Sequence, residues 1–421
     1  ATCDLEVVAS RDLLLVAGMR PVQRERLRAA GIASIDALAT ATAPPARMSA
    51  DTFAMLRTQA RLQLASPAGV PVPAVVPAAP VPVGAPVTAT ALADAATVAA
   101  PAAAPAVPTY EVVLPTALGA LPRPDHGDIF FDFEGDPLYT EGPAREWGID
   151  YLFGWVDDRE QYSALWAHSF AEERVALETF LDLVALRRSQ HPGMHIYHYA
   201  PYEPNHLLAM AARHGVRESD VDRLLRDGVF VDLYPIVRRA LRVGSRSYSI
   251  KKLEPLYMGD EVRTSDVQKG DESIVRYVEA RGLVADGREA EAPDVFADLA
   301  DYNRYDCVST RRLRDWLADR AREAGLRPSV DVEPGEAGYA PSPRAESLER
   351  LAAARAAAAG TPDDADAEAL RLGAAAIDYY PREAKTFWAT HFLRLREPVS
   401  VWEDARDVVV VDADRSEVVE D

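Results

Sequence analysis

Three acidic residues follow a run of apolar residues in the segment IFFDFEGDP, residues 129–137. Side chains alternate between the two faces of a strand, so Asp132 and Glu134 lie on one face and the phenylalanines on the other. Two adjacent carboxylates beside apolar groups are costly unless a cation neutralises them, and Mg²⁺ and Mn²⁺ prefer oxygen ligands. The pair therefore predicts a metal site, with a strand end carrying solvated acids as the alternative. Asp136 precedes a proline and is expected to shape a turn.

A second pair of residues lies far along the chain, in DYNRYDCVSTRRLRDW. Tyr302 and Asp306 are four positions apart, which places them one turn apart on the same face of a helix. We expect Asp306 to bind the metal and Tyr302 to orient an attacking water, although a tyrosine on a helix face is also common in plain cores. Glu203, in HIYHYAPYEPNHL, is a further candidate ligand, and an acid favoured in the first turn of a helix is the alternative.

These segments resemble the motifs of the DEDDy 3′–5′ exonucleases, which carry Asp-x-Glu on a first strand and Tyr-x-x-x-Asp on a last helix. The middle motif of that family has an aspartate after an aromatic residue, and here Glu203 follows Tyr202. The wider similarity is to the YprB-type RNase H-like domain of the RecB-like nuclease family. Four segments carry it: GDIFFDFEGDP, HYAPYE, VDLYPIVRRALRVGSRSYSIKKLE and YNRYDC.

The resemblance implies a nuclease, with nucleic acid as its substrate and DNA favoured over RNA. Two Mg²⁺ or Mn²⁺ ions are expected, held by Asp132, Glu134, Glu203 and Asp306. Members of the family join this domain to a second nuclease domain, with a cysteine-bound cluster, and to a helicase. On that basis Cys3 would be a remnant of the cluster and YYPREAKTFWATHF the start of the helicase. The chain contains no GxxxxGK[ST] loop, so we expect no ATPase in it.

A local basic segment is the predicted nucleic-acid contact. The net charge of −20 argues against a general polyanion-binding surface, so a strand would need such a local path. The segment RRALRVGSRSYSIKK, residues 238–252, contains no acidic residue; a solvated helix face plus a loop is the alternative. Its candidate contacts are Arg238, Arg239, Arg242, Arg246, Ser247, Tyr248, Lys251 and Lys252.

The elements that would position these residues follow from the apolar patterns between 110 and 325. Three strands come first, of which the second and third form a meander, and an amphipathic helix follows them. The pattern then predicts a buried strand, a helix, a strand that runs into a helix, and a long closing helix. This order predicts an α/β fold, an RNase H-like mixed sheet flanked by helices, with a small N-terminal all-α domain.

Composition divides the chain into four predicted segments. Residues 1–65 form a helical domain that resembles a helix-hairpin-helix module, with a plain helical interaction domain as the alternative. Residues 66–108, rich in Ala, Pro and Val, form a disordered linker. Residues 109–325 form the nuclease domain, and residues 326–421 form a helical extension and tail.

The overall prediction is a cytoplasmic, metal-dependent 3′–5′ exonuclease that acts on single-stranded nucleic acid. Two cysteines in 421 residues fit a reducing compartment, and no apolar run is long enough to span a membrane. The alternative is a catalytically weak or inactive nucleic-acid-binding adaptor or scaffold of a larger nuclease-helicase.

Overall fold

The computed structural model describes most of the chain outside the predicted linker and the C-terminal tail. The described residues are 2–67, 69–70, 106–142, 146–261, 263, 270–327, 342–360 and 364–380. Most of the predicted linker and of the segment YYPREAKTFWATHF therefore lies outside them. The chain divides into two compact units, residues 1–48 with 53–331, and residues 49–52 with 332–421.

The N-terminal part of the chain is helical. Its elements are α1 (Thr2–Ala9), a 3₁₀ helix (Leu13–Leu15), α2 (Pro21–Ala29), α3 (Ile35–Thr40) and α4 (Ala50–Ala65). Leucine and isoleucine side chains from these elements, including Leu13, Leu27 and Ile35, are fully buried in one cluster. Gly31 has a φ of +82°, a conformation that favours glycine, and it separates α2 from α3 as the sequence predicted.

A five-stranded mixed sheet forms the centre of the first unit. Its strands are β2 (Ile129–Asp136), β3 (Ile149–Asp157), β4 (Tyr162–Trp166), β5 (Ile196–His198) and β6 (Phe230–Asp232), in the order β4-β3-β2-β5-β6. β2, β3 and β4 form an antiparallel meander, and β5 and β6 run parallel to β2. The predicted meander and the mixed sheet are therefore confirmed. A separate antiparallel pair joins β1 (Tyr110–Val112) to β7 (Leu241–Val243).

Helices flank the sheet and connect its strands. The first unit contains α5 (Phe170–Gln190), α6 (Tyr202–His214), α7 (Glu218–Arg226), α8 (Leu233–Ala240), α9 (Ile250–Leu253), α10 (Gly270–Ala285) and α11 (Ala292–Glu323). Short 3₁₀ helices occupy Pro115–Ala120, Glu254–Leu256 and Glu289–Glu291. The second unit contains α12 (Pro343–Ala359) and α13 (Ala365–Ile377). Among the described helices, none is both long enough and apolar enough to cross a membrane.

The two faces of β2 pack against different helices because its side chains alternate. Phe131 and Phe133 belong to the apolar cluster that includes α5, and the Phe131 ring stacks on Phe180 with centroids 4.4 Å apart. Phe130 belongs to the cluster on the other face, together with Leu313 of α11. Asp132 and Glu134 therefore point towards α11.

A buried ion pair fixes α11 against the start of β2. The Arg314 guanidinium donates to Asp128 at 2.8 Å and lies between two aromatic rings, with its central carbon 4.7 Å from the Phe130 centroid and 4.8 Å from that of Tyr197. Asp128 is fully buried and also accepts a hydrogen bond from the amide of His195. This contact sets where along the sheet α11 lies.

Replacing Arg314 with alanine is expected to destabilise the fold strongly, because it leaves the buried Asp128 carboxylate without its cation. We expect the free energy of unfolding to fall by about 3 to 5 kcal/mol in urea denaturation. Arg322→Ala is the matched control on the same helix; its side chain is 73% exposed, and we expect a loss within about 0.5 kcal/mol. Equal effects of the two substitutions would contradict a structural role for the Arg314 ion pair.

Candidate metal centre

Three carboxylates from two elements converge beside the sheet. Strand β2 contributes Asp132 and Glu134, and helix α11 contributes Asp306. One oxygen of each lies within 4.8 Å of the others. Glu134 is 7% exposed and Asp306 is 9% exposed, whereas Asp132 is partly exposed. The structure thus brings together three of the four predicted ligands.

Asn303 holds Asp132 in place. Its side-chain amide donates to the Asp132 carboxylate at 3.0 Å, and its carbonyl oxygen accepts from the Tyr162 hydroxyl at 2.9 Å. Asn303 reaches Asp132 across Gly154, which pairs with Asp132 in the sheet. A Cβ atom at position 154 would lie 1.6 Å from the Asn303 carbonyl oxygen. Only glycine therefore permits this approach of α11 to β3.

Glu134 has its own hydrogen-bond partner. The Ser273 hydroxyl, from α10, donates to the Glu134 carboxylate at 2.9 Å and is 1% exposed. A donor at this position limits how the carboxylate can turn. Helix α10 therefore contributes to the site although the apolar pattern did not predict that helix.

The cluster is electrostatically strained in the absence of a cation. Burial raises the pKa of Asp132 well above its ordinary value, and repulsion from Glu134 and Asp306 adds to the shift. Burial also raises the pKa of Glu134 to about 8, again with repulsion from Asp306. Buried, mutually repelling carboxylates with all-oxygen chemistry suit Mg²⁺ or Mn²⁺. The donor set therefore fits the predicted class of ion.

Glu203 lies at the start of α6 and, among the described residues, is not a member of the carboxylate cluster. It is 3% exposed, and one of its oxygens lies 3.2 Å from Nδ1 of His198. That nitrogen is closer to the carbonyl oxygen of Ala200, at 2.7 Å, so the contact with Glu203 is electrostatic rather than a well-aligned hydrogen bond. Burial raises the pKa of Glu203, and His198 only partly offsets this effect.

Tyr302 is buried beside the cluster, and its hydroxyl accepts a hydrogen bond from the Lys251 ammonium at 2.7 Å. Burial raises the pKa of Tyr302, and the charge of Asp306 raises it further. The phenol therefore stays protonated at neutral pH and can donate a hydrogen bond, but it cannot act as a base.

Arg263 is the contact that sequence reasoning missed most clearly. Its guanidinium lies 2.5 Å from the Asp306 carboxylate and also pairs with Glu254. A single arginine in a segment without periodic apolar residues carries no signal of such a role. Asn303 offered a weak signal, as a polar residue next to Tyr302 on the helix, and Ser273 offered none.

Part of the basic segment packs inwards. Tyr248 is 5% exposed, and its hydroxyl donates to Gln59 of α4 at 2.7 Å. Arg238 covers the Tyr248 ring, with its guanidinium carbon 4.7 Å from the ring centroid. Arg242 is partly buried and donates to the carbonyl oxygens of residues 238 and 241. Tyr248 thus connects helix α4 to the sheet domain, and Arg238 covers its ring, a position that does not suit a base-stacking tyrosine.

The remaining basic and polar residues of the segment are distributed differently. Arg239, Ser247 and Lys252 are exposed. Arg246 is partly buried and lies 3.4 Å from Asp4. Lys251 is partly buried at the Tyr302 hydroxyl, within the candidate metal centre rather than on an outer surface.

The region that contains this centre matches a known family. Residues 129–318 match the family model of the RNase_H superfamily, and this range contains all three clustered carboxylates and Arg263. Comparison with curated proteins and with solved structures gave no match. The match and the mixed sheet flanked by helices confirm the predicted RNase H-like fold. A domain of this kind suggests a nuclease, and the acidic cluster suggests divalent-metal binding.

The raised pKa of Glu134 predicts a pH-dependent stability of the metal-free protein. Glu134 has an ordinary pKa of 4.5 and titrates at about 8 in the folded state, so the folded protein binds more protons between these values. Its contribution to stability is therefore present at low pH and is lost as the pH rises towards 8. In Glu134→Gln the side chain carries no charge, and at about pH 9 we expect the variant to exceed the wild type by on the order of 2 kcal/mol.

Urea denaturation in EDTA, from about pH 5 to about pH 9, measures this effect. Glu178→Gln, on α5 away from the cluster, is the control and should keep the wild-type profile. An unchanged profile in Glu134→Gln would show that burial does not shift this carboxyl group.

Proposed function

We propose that this chain is a metal-dependent nuclease of the DEDDy type that removes nucleotides from the 3′ end of single-stranded DNA. The observation that carries the proposal is the convergence of Asp132, Glu134 and Asp306 within 4.8 Å, inside a region similar to the RNase_H superfamily. The buried, rigid setting of these carboxylates supports it, because such a cluster is costly without a cation.

The residues of the chain have distinct roles in this proposal. Bound Mg²⁺ or Mn²⁺ would activate water and stabilise the departing oxygen. Asp132, Glu134 and Asp306 hold the ion, while Asn303 fixes the first of these carboxylates. Tyr302 accepts its hydrogen bond from Lys251, so its own proton can be donated to the attacking water or to a phosphate oxygen.

The proposal extends to the rest of the chain. Residues 1–65 would form a helix-hairpin-helix-like domain, residues 66–108 a linker, residues 109–325 the nuclease domain, and residues 326–421 an extension leading towards a helicase. The exposed residues Arg239, Ser247 and Lys252 would contact the DNA backbone. In this proposal the chain works in the cytoplasm, as part of a longer nuclease-helicase polypeptide.

Asp132→Asn tests the proposed activity directly. With single-stranded DNA labelled at its 5′ end and Mn²⁺, we expect the wild type to produce progressively shorter labelled strands, and the variant to lose at least about 100-fold in rate. Asn303→Ala, which removes the hydrogen bond to Asp132 and the one from Tyr162, is expected to lose about 10- to 100-fold in rate.

Asp136→Asn is the matched control for this experiment. Asp136 lies on the same strand but outside the cluster, and its carboxylate accepts a hydrogen bond from the amide of Leu138. The side-chain oxygen of an asparagine can accept the same hydrogen bond. We expect near wild-type activity. Activity that survives in Asp132→Asn would refute the assignment of the site. Release of the 5′ label as a mononucleotide, with progressive shortening of a 3′-labelled strand, would refute the 3′–5′ polarity.

A nucleic-acid-binding adaptor with little or no activity is the second candidate. Two observations favour it: Arg263 already neutralises Asp306, and Glu203 faces His198 rather than the cluster. This candidate predicts binding of single-stranded DNA at low salt, measured by fluorescence anisotropy, without shortening of the strand at any Mn²⁺ concentration.

A further inference from the structure

We propose that the centre holds a single divalent ion, and that Arg263 supplies the second positive charge and binds the phosphate of the substrate. This inference rests on the proposed nuclease function. It departs from the expectation of two ions, which came from the resemblance to exonucleases.

Arg263 is fixed beside the carboxylate cluster. Its side chain is 8% exposed, and it pairs with both Asp306 and Glu254. Its guanidinium carbon lies 4.4 Å from the Tyr305 ring centroid and 5.4 Å from that of Tyr302. Two carboxylates and two aromatic rings thus hold one guanidinium at the edge of the site. A cation held in this way offsets negative charge at Asp306 that a second ion would otherwise balance.

Two nitrogen atoms of the same guanidinium make no hydrogen bond to the described residues. Nε and Nη1 of Arg263 are buried and have no hydrogen-bond partner among the described residues. Buried donors without an acceptor are costly and call for a partner that is absent from the free protein. Each N–H of a guanidinium can donate to an oxygen of a phosphate group. The phosphodiester of a nucleic-acid strand has this chemistry, and it would arrive next to the cluster.

The local charge is consistent with one ion. Four carboxylates, those of Asp132, Glu134, Asp306 and Glu254, lie with two cations, Arg263 and Lys251. Their mutual electrostatic effects show that these groups share one environment. When all are charged, two negative charges remain in excess, which one divalent ion balances.

Glu203, the expected ligand of a second ion, has a different local partner. It faces His198 and is not among the clustered carboxylates of the described chain. Nδ1 of His198 lies 3.2 Å from a Glu203 oxygen, and both side chains are buried. Glu203 is thus contacted by a histidine nitrogen instead of joining the clustered carboxylates as a ligand of a second ion.

Isothermal titration of the full chain with Mn²⁺, without DNA, counts the ions. We expect one ion in the wild type and a second in Arg263→Gln, because that substitution frees Asp306 and Glu254. Arg263→Lys keeps the positive charge, so we expect this variant to bind one ion. Arg304→Gln is the control: this arginine lies on α11 and pairs with Asp301 rather than with a clustered carboxylate, and one ion is expected.

Each result decides between alternatives. Two ions in the wild type, reduced to one by Glu203→Gln, would overturn the inference and leave the nuclease proposal standing. An unchanged count of one ion in Arg263→Gln, with the variant folded by circular dichroism, would also overturn it. No Mn²⁺ binding in the wild type would refute the metal centre itself, and the inference with it. If Arg263→Gln does not fold, the wild-type and Arg263→Lys counts still test the inference, since two ions in either would contradict it.

Affinity for DNA provides an independent test of phosphate binding. In Ca²⁺, with a short single-stranded DNA and fluorescence anisotropy as the readout, we expect Arg263→Gln to bind at least about tenfold more weakly than Arg304→Gln. Equal affinities of these two variants would overturn the assignment of Arg263 to the phosphate.

Discussion

Repulsion between three clustered carboxylates is the constraint on which the rest of the structure depends. Glu134 and Asp306 are buried and Asp132 is partly buried, and burial together with repulsion inside the cluster raises the pKa of Asp132 and of Glu134. Such a cluster persists only if the surrounding elements hold it rigidly. The antiparallel meander supplies one rigid side and the long helix α11 supplies the other. The hydrogen bonds from Asn303 and Ser273 limit the remaining freedom of the side chains.

Positive charge is distributed around this cluster at graded distances. Arg263 contacts Asp306 directly, whereas Lys251 acts through the hydroxyl of Tyr302. His198 balances Glu203 one strand away. The net charge of the chain is −20, yet the basic side chains of Arg263 and Lys251 lie close to the centre. The acidic overall composition and the expectation of a nucleic-acid substrate are compatible for this reason.

Local periodicity explains how much of the site the sequence could predict. Alternation along β2 places Asp132 beside Glu134, and helical spacing places Tyr302 over Asp306, so both pairs could be recognised without a structure. The five strands of the central sheet and helices α5 and α11 follow from the same periodicities, whereas α10 does not. Arg263 and Ser273 approach the site only through tertiary packing, and no spacing rule links them to it. Tyr248 was a candidate nucleic-acid contact, but its ring lies under Arg238 and its hydroxyl donates to Gln59 of α4, contacts that no pattern within the basic segment could reveal.

The contact between Gln59 and Tyr248 makes the N-terminal helices part of the architecture of the centre. Tyr248 is anchored by α4, and three residues later the chain places Lys251 at the Tyr302 hydroxyl. A short, well-packed stretch of backbone therefore connects a helix near the beginning of the chain to the phenol beside the carboxylates. The hydrogen bond that orients this phenol thus depends on the packing of a helix that lies outside the sheet.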